Sequence, residues 1–133
     1  MTEIIKVVDV DKALQNSKSP KMRKLPKFLR NFLKKTICQD ELNRIHTKYA
    51  HLWGMDYVRA LLFDEFKVKI DILGEEKVIK DKLYVYVANH PLGAIDALAF
   101  LYLIDKLHGK VVSPSNQLFE YIPNLHPVIV GID

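Results

Sequence analysis

The stretch Val87-Ala88-Asn89-His90-Pro91-Leu92-Gly93-Ala94-Ile95-Asp96 holds the residue types and spacing best suited to chemistry. It puts a histidine at the end of an apolar, strand-like run, where open α/β sheets present their ligand sites. A carboxylate follows at the mouth of a helix. The turn between them contains Gly93, which is free to take dihedrals closed to other residues and so to fold Asp96 back toward the ring. An aspartate that accepts one ring N–H fixes the tautomer and leaves the other nitrogen as a base; it also stabilises the imidazolium formed after proton abstraction. Such a pair activates a substrate hydroxyl or amine. No serine or cysteine nucleophile is obvious beside it. Ser113 and Ser115 fall after the next expected strand, and Cys38 lies on the polar edge of a distant helix. Direct transfer with His90 as general base is therefore favoured over a covalent enzyme intermediate. A strand-end histidine and a helix-capping aspartate of purely structural role would read the same way.

The elements that must position this segment follow from periodicity. Helices are expected at 26–37, 40–50 and 54–63. Asp40 and Glu41 place acids in a first turn, where the helix dipole favours them. Phe66 to Ile72 alternates apolar and polar residues, the pattern of a half-buried strand, and Gly74-Glu75-Glu76 ends it. Leu83 to Ala88 is aliphatic and aromatic throughout, as expected of a strand covered on both faces. Asp96 to Leu107 reads as a buried helix closed by Gly109. Short strands are expected at 110–113 and 127–132, with a helix or loop between them. Strands alternating with helices argue for an α/β domain: N-terminal helices followed by a mostly parallel sheet with helices. The division expected is a loosely ordered lead (1–19), a helical region (20–63) and the front half of an α/β domain (64–133). The final apolar strand has no helix after it, so the domain is expected to be incomplete at the C-terminus.

A chain of 133 residues with 49% hydrophobic and 27% charged residues has the size and mix of one globular domain. Its longest apolar run, Ala97 to Ile104, is far shorter than the roughly 18 residues a membrane-spanning helix needs. The N-terminus lacks the basic start, apolar stretch and cleavage site of a secretory signal. The lone Cys38 permits no internal disulfide and fits a reducing compartment. Other candidate sites are poor. His46 and His51 point about 140° apart on a helix, which does not suit zinc. His108 reads as a helix C-terminal cation, His126 as a turn residue, and Trp53 with Tyr57 as core. No glycine-rich phosphate loop is present.

Charge is unevenly spread. Eight bases and no acid lie between Lys18 and Gln39, leaving 12 bases and 16 acids elsewhere. In the same segment Leu25, Phe28, Leu29, Phe32, Leu33 and Ile37 recur at steps of three and four, an apolar helical stripe beside a Lys/Arg face. Pro26 suits the first turn. Lys24, Lys27, Phe28, Arg30, Phe32, Lys34 and Lys35 would meet an anionic membrane surface. A helix packed on the domain with its basic side in solvent is the alternative. Nucleic acid fits less well, because polar and aromatic readers among the bases are few.

Asn89-His90-Pro91-Leu92-Gly93 through Asp96 resembles the first motif of the glycerolipid (lysophosphatidic-acid-like) acyltransferase family. It is most similar to the bacterial branch called hemolysin-like or glycerol acyltransferase. In the family a His-x4-Asp motif supplies the catalytic base and its partner; here the spacing is x5, the longer form associated with that branch. A basic helical lead, the Asp40 to Asn43 helix start, the alternating strand and the His motif also come in the branch's order. The resemblance implies catalysis by His90 and Asp96, and Asn89 and Gly93 shaping the substrate turn. It implies an acyl donor, acyl-CoA or acyl carrier protein, and an acceptor hydroxyl on a glycerophospholipid or related amphiphile. No bound cofactor or metal is expected, and the place of action is the cytoplasmic, inner face of a membrane. The family's later motifs are expected beyond Asp133, so the chain resembles an N-terminal portion. A non-catalytic membrane-binding remnant is the alternative function, and an RNA-binding module a remote third.

Overall fold

The computed structural model describes residues 4–79, 82–89, 91–116 and 121–132. It divides into two compact units, Met1–Ala50 and His51–Asp133.

The first unit is helical: α1 Val10–Gln15, α2 Pro20–Arg23, α3 Lys27–Thr36 and α4 Gln39–Tyr49. Asp9 caps α1 by accepting from Lys12 N (3.1 Å), and α1 buries Val10 and Leu14. Pro26 is the N-cap of α3, one position earlier than the first turn. Cys38, exposed and left-handed (φ 53°), separates α3 from α4. α4 turns Asn43, Ile45, His46 and Tyr49 inward. Three polar side chains four residues apart on α4 tie down the chain ahead of α1. Thr47 Oγ1 accepts from Ile5 N (2.9 Å), and Gln39 Oε1 accepts from Val10 N (2.8 Å). Asn43 Oδ1 accepts from both Val7 N (3.0 Å) and Val8 N (2.9 Å), while its Nδ2 donates to Val8 O (2.8 Å).

Burial holds the His46 imidazole below its ordinary pKa, so the folded unit favours the neutral ring. The linkage has a definite sign. The contribution is fully present above the unfolded value of 6.5 and is lost as pH falls below it through the lowered folded value. Melts followed by circular dichroism should show this unit losing stability between pH 7 and 5, with His46→Gln flattening that dependence.

The second unit begins with α5 Gly54–Arg59, which runs into a π-helical turn, Ala60–Glu65. The wider turn closes with Phe66 N donating to Leu61 O (2.9 Å). α6, Ala94–His108, lies beside α5 and ends at Gly109 in the left-handed conformation that closes a helix (φ 71°). Val58, Leu62 and Leu125 are fully buried, with Tyr57, Leu98, Leu101 and Leu107 nearly so. Burial pushes the Tyr57 phenol up to about 12. Arg59 and Asp105 form an ion pair between α5 and α6, and Asn124 Nδ2 donates to Leu52 O (2.5 Å). Trp53 is the exposed N-cap of α5, so only Tyr57 of the expected core pair is buried.

The α/β expectation is met by a small parallel sheet. β1 (Ser113–Asn116) pairs with β2 (Ile129–Ile132), Ser113 opposite Ile129 and Asn116 opposite Ile132. β1 thus starts where the expected 110–113 strand was to end. Proline at 114 is tolerated because both strands of a two-stranded sheet are edges. Phe66 to Ile72 joins no ladder among the described residues, and neither does Leu83 to Ala88. The latter is covered on one face, not two. Tyr84 and Tyr86 turn toward α6, their ring centroids 5.4 Å and 5.5 Å from that of His108, while Leu83, Val85 and Val87 are almost wholly exposed. Tyr86 Oη and His108 Nε2 are hydrogen-bonded (2.5 Å), so His108 does more than end a helix.

Candidate functional site

Gly93 is where the turn becomes α6. Its φ of 70° and ψ of −124° suit only glycine, and among the described residues beyond its chain neighbours no atom lies within 4 Å of a Cβ built there. Backbone strain alone should therefore set the cost of Gly93→Ala, about 1–3 kcal/mol. A lowered melting temperature together with reduced turnover would show that the turn's shape serves the site.

Asp96 stands in the first turn of α6, half-buried, and Oδ2 accepts from Leu92 N (2.7 Å). The carboxylate is thereby drawn back over the turn. This placement also favours an anion electrostatically, at the positive end of a fifteen-residue helix. His90 lies outside the described residues.

One cavity, of about 420 Å³, joins these parts. Asn89, Gly93 and Asp96 line it together with Tyr86, Val87 and Ala88. α6 contributes Ala97, Leu98, Phe100 and Leu101, and the sheet contributes Ser113, Pro114, Ser115 and Ile129. The lining is mostly apolar, with a carboxylate, an amide, two serine hydroxyls and a phenol. That composition suits an aliphatic chain carrying one polar, reacting end. Burial and the neighbouring Tyr84 push the Tyr86 phenol above its ordinary pKa, so it is a hydrogen-bonding group and not an anion at neutral pH.

Sequence reasoning set Ser113 and Ser115 apart from the motif, yet the structure brings them to the same cavity as Asp96. The short Ser-Pro-Ser strand beside an apolar helix was the available signal. Tyr86 and Phe100 were read only as strand and helix. The basic candidates, Lys24, Lys27, Phe28, Arg30, Phe32, Lys34 and Lys35, belong to α3 and its lead in the first unit. Among the described residues no three His, Cys, Asp or Glu side chains gather to hold a metal ion. No helix among them is long and apolar enough to cross a membrane.

Comparison with known proteins gives this geometry a family. Residues 12–133 match the family described as Acyltransferase. The lyso-glycine lipid O-acyltransferase of Bacteroides thetaiotaomicron is 36% identical over 129 residues, covering 96% of this chain and 47% of that protein. The protein of the same name from Phocaeicola vulgatus is 29% identical over 128 residues, covering 96% of this chain and 46% of that one. The chain therefore spans about half the length of the curated relatives it matches. No solved structure matches it significantly. With the match running through the His motif and nearly the whole sequence, the chain belongs to the acyltransferase family, of the glycerolipid type that the motif resembles.

Proposed function

We propose that the protein moves a fatty acyl group from a thioester donor, acyl-CoA or acyl carrier protein, to a hydroxyl of a lyso-lipid at an anionic membrane surface. The observation that carries this reading is the mostly apolar cavity lined by Asn89, Gly93 and Asp96. Its volume and lining suit an acyl chain, and its amide and carboxylate, on Asn89 and Asp96, flank His90 in sequence. In the proposed reaction His90 takes the proton of the acceptor hydroxyl as the oxygen attacks the thioester carbonyl. The C–O bond forms, the C–S bond breaks, and the leaving thiolate takes the proton back from the imidazolium. Asp96 orients His90 and stabilises its cation. Asn89 and Gly93 shape the turn against the substrate. No cofactor enters this scheme.

The names of the two relatives make a glycine lipid with a free hydroxyl the first acceptor to try, ahead of a lysoglycerophospholipid. The test is product identification by mass spectrometry, with each donor offered against both acceptors in anionic vesicles. An O-acylated lipid carrying the donor's chain supports the reading. Failure of every donor and acceptor pair would discard it in favour of a non-catalytic, lipid-binding protein.

The basic helix supports the membrane part of the reading, with the protein peripheral to the inner, cytoplasmic face. Phe28 is 70% exposed and Phe32 65%, flanked by Lys27 and Lys35, and α3 buries none of its residues. An exposed aromatic pair bordered by cations fits an anionic lipid surface.

A further inference from the structure

An amphipathic helix that packs on its own domain turns its apolar side inward, but α3 leaves its two aromatics outside. Of its ten residues only Arg30, Leu33 and Lys34 are partly covered. Residues turn about 100° per step, so these three share one side, and Phe28 and Phe32 lie opposite. The covered polar groups have partners. Lys34 Nζ pairs with the Asp11 carboxylate (2.5 Å) and holds it below the usual carboxylate range, while Arg30 Nε donates to Leu25 O (2.7 Å).

A ten-residue helix with no buried residue is too short to hold itself together in water. Its order comes from its neighbours α1, through the Lys34–Asp11 pair, and α4, and residues 5–10 bind these two together, their amides donating to Thr47, Asn43 and Gln39 of α4. Asn43 accepts from two of those amides, donates to Val8 O as well, and is only 3% exposed.

We infer that residues 5–10 are a strap that keeps α3 folded before it meets lipid, with Phe28 and Phe32 already facing out, and that Asn43 is the positioning residue of that docking face. The inference rests on the membrane reading of α3 and adds how the face is made. Docking is then the landing of a finished surface, not the folding of a disordered basic segment. The covered side also sets which cations meet lipid: Lys27 and Lys35 do, whereas Lys34 is spent on Asp11.

Hydrogen exchange on the whole protein tests this, with and without vesicles of phosphatidylglycerol and phosphatidylcholine. Wild-type α3 amides should be protected without lipid. Asn43→Ala should speed their exchange about tenfold, leave α6 amides unchanged, and regain protection on vesicles. Gln39→Leu, which removes one strap bond, should give a smaller shift of the same kind. It decides the matter if Asn43→Ala unfolds the unit. Wild-type α3 unprotected without vesicles, or α3 exchange unmoved by both variants, would overturn the strap. Vesicles that fail to bind the wild type, while the variants still loosen α3, would overturn the lipid landing and leave the strap a structural tie only.

Discussion

His90→Ala is expected to abolish acyl transfer while leaving helicity and melting temperature unchanged. A positioned general base contributes roughly 10²–10⁴-fold, and no side chain lining the cavity among the described residues is suited to replace it. Ser113 and Ser115 line the same cavity but have no proton affinity suited to the task, and burial together with the neighbouring Tyr84 keeps the Tyr86 phenol protonated. Asp96→Asn should cost less, since it preserves a polar group at the α6 N-terminus while removing the charge that stabilises the imidazolium. In both variants the loss should fall on kcat. In the proposed reaction the acyl chain would lie against Leu98, Phe100, Leu101 and Ile129, which both variants leave in place, so KM for the donor should hardly move. An active His90→Ala protein would contradict the mechanism.

The second large effect is expected on lipid binding. Burying an aromatic ring is worth roughly 2 kcal/mol. Even half of that, lost at both Phe28 and Phe32 on replacement by serine, amounts to about 2 kcal/mol and weakens vesicle binding about 30-fold. The basic flank adds a separate, screenable contribution, of order 1 kcal/mol for each Lys or Arg near the surface. Wild-type binding should therefore fall steeply as salt shortens the Debye length, and binding to neutral vesicles should be weak. Sedimentation with anionic vesicles measures both. Salt-independent binding, or a double-serine variant that binds as the wild type does, would contradict the docking face.

The parts legible in the sequence were the locally encoded ones. The stripes that make α3 and α4, the apolar α6 and its Gly109 closure all lie within a few turns of chain, where a period of 3.6 can be read directly. The strands were harder, because pairing is a property of distant residues. Leu83 to Ala88 has the composition of a doubly covered strand, but the tyrosines at 84 and 86 claim one face for α6 and leave the other open. The amphipathic character of α3 was plain, whereas the side it covers was not. That side is set by contacts with other helices, among them the pairing of Lys34 with Asp11, a single carboxylate on α1. The same holds for the strap, since Gln39, Asn43 and Thr47 look like ordinary polar helix residues until the chain ahead of α1 is laid against them. At the site, the motif supplied the turn residues Asn89, Gly93 and Asp96, and the fold supplied the serines of β1 and the apolar lining.

Transfer to a hydroxyl can be read from thiol release by an acyl thioester with and without the lyso-lipid acceptor. Release should depend on the acceptor, with one thiol for each O-acylated lipid formed, and His90→Ala should release none. Thiol released at the same rate without acceptor, or no O-acylated lipid despite a consumed thioester, would contradict it.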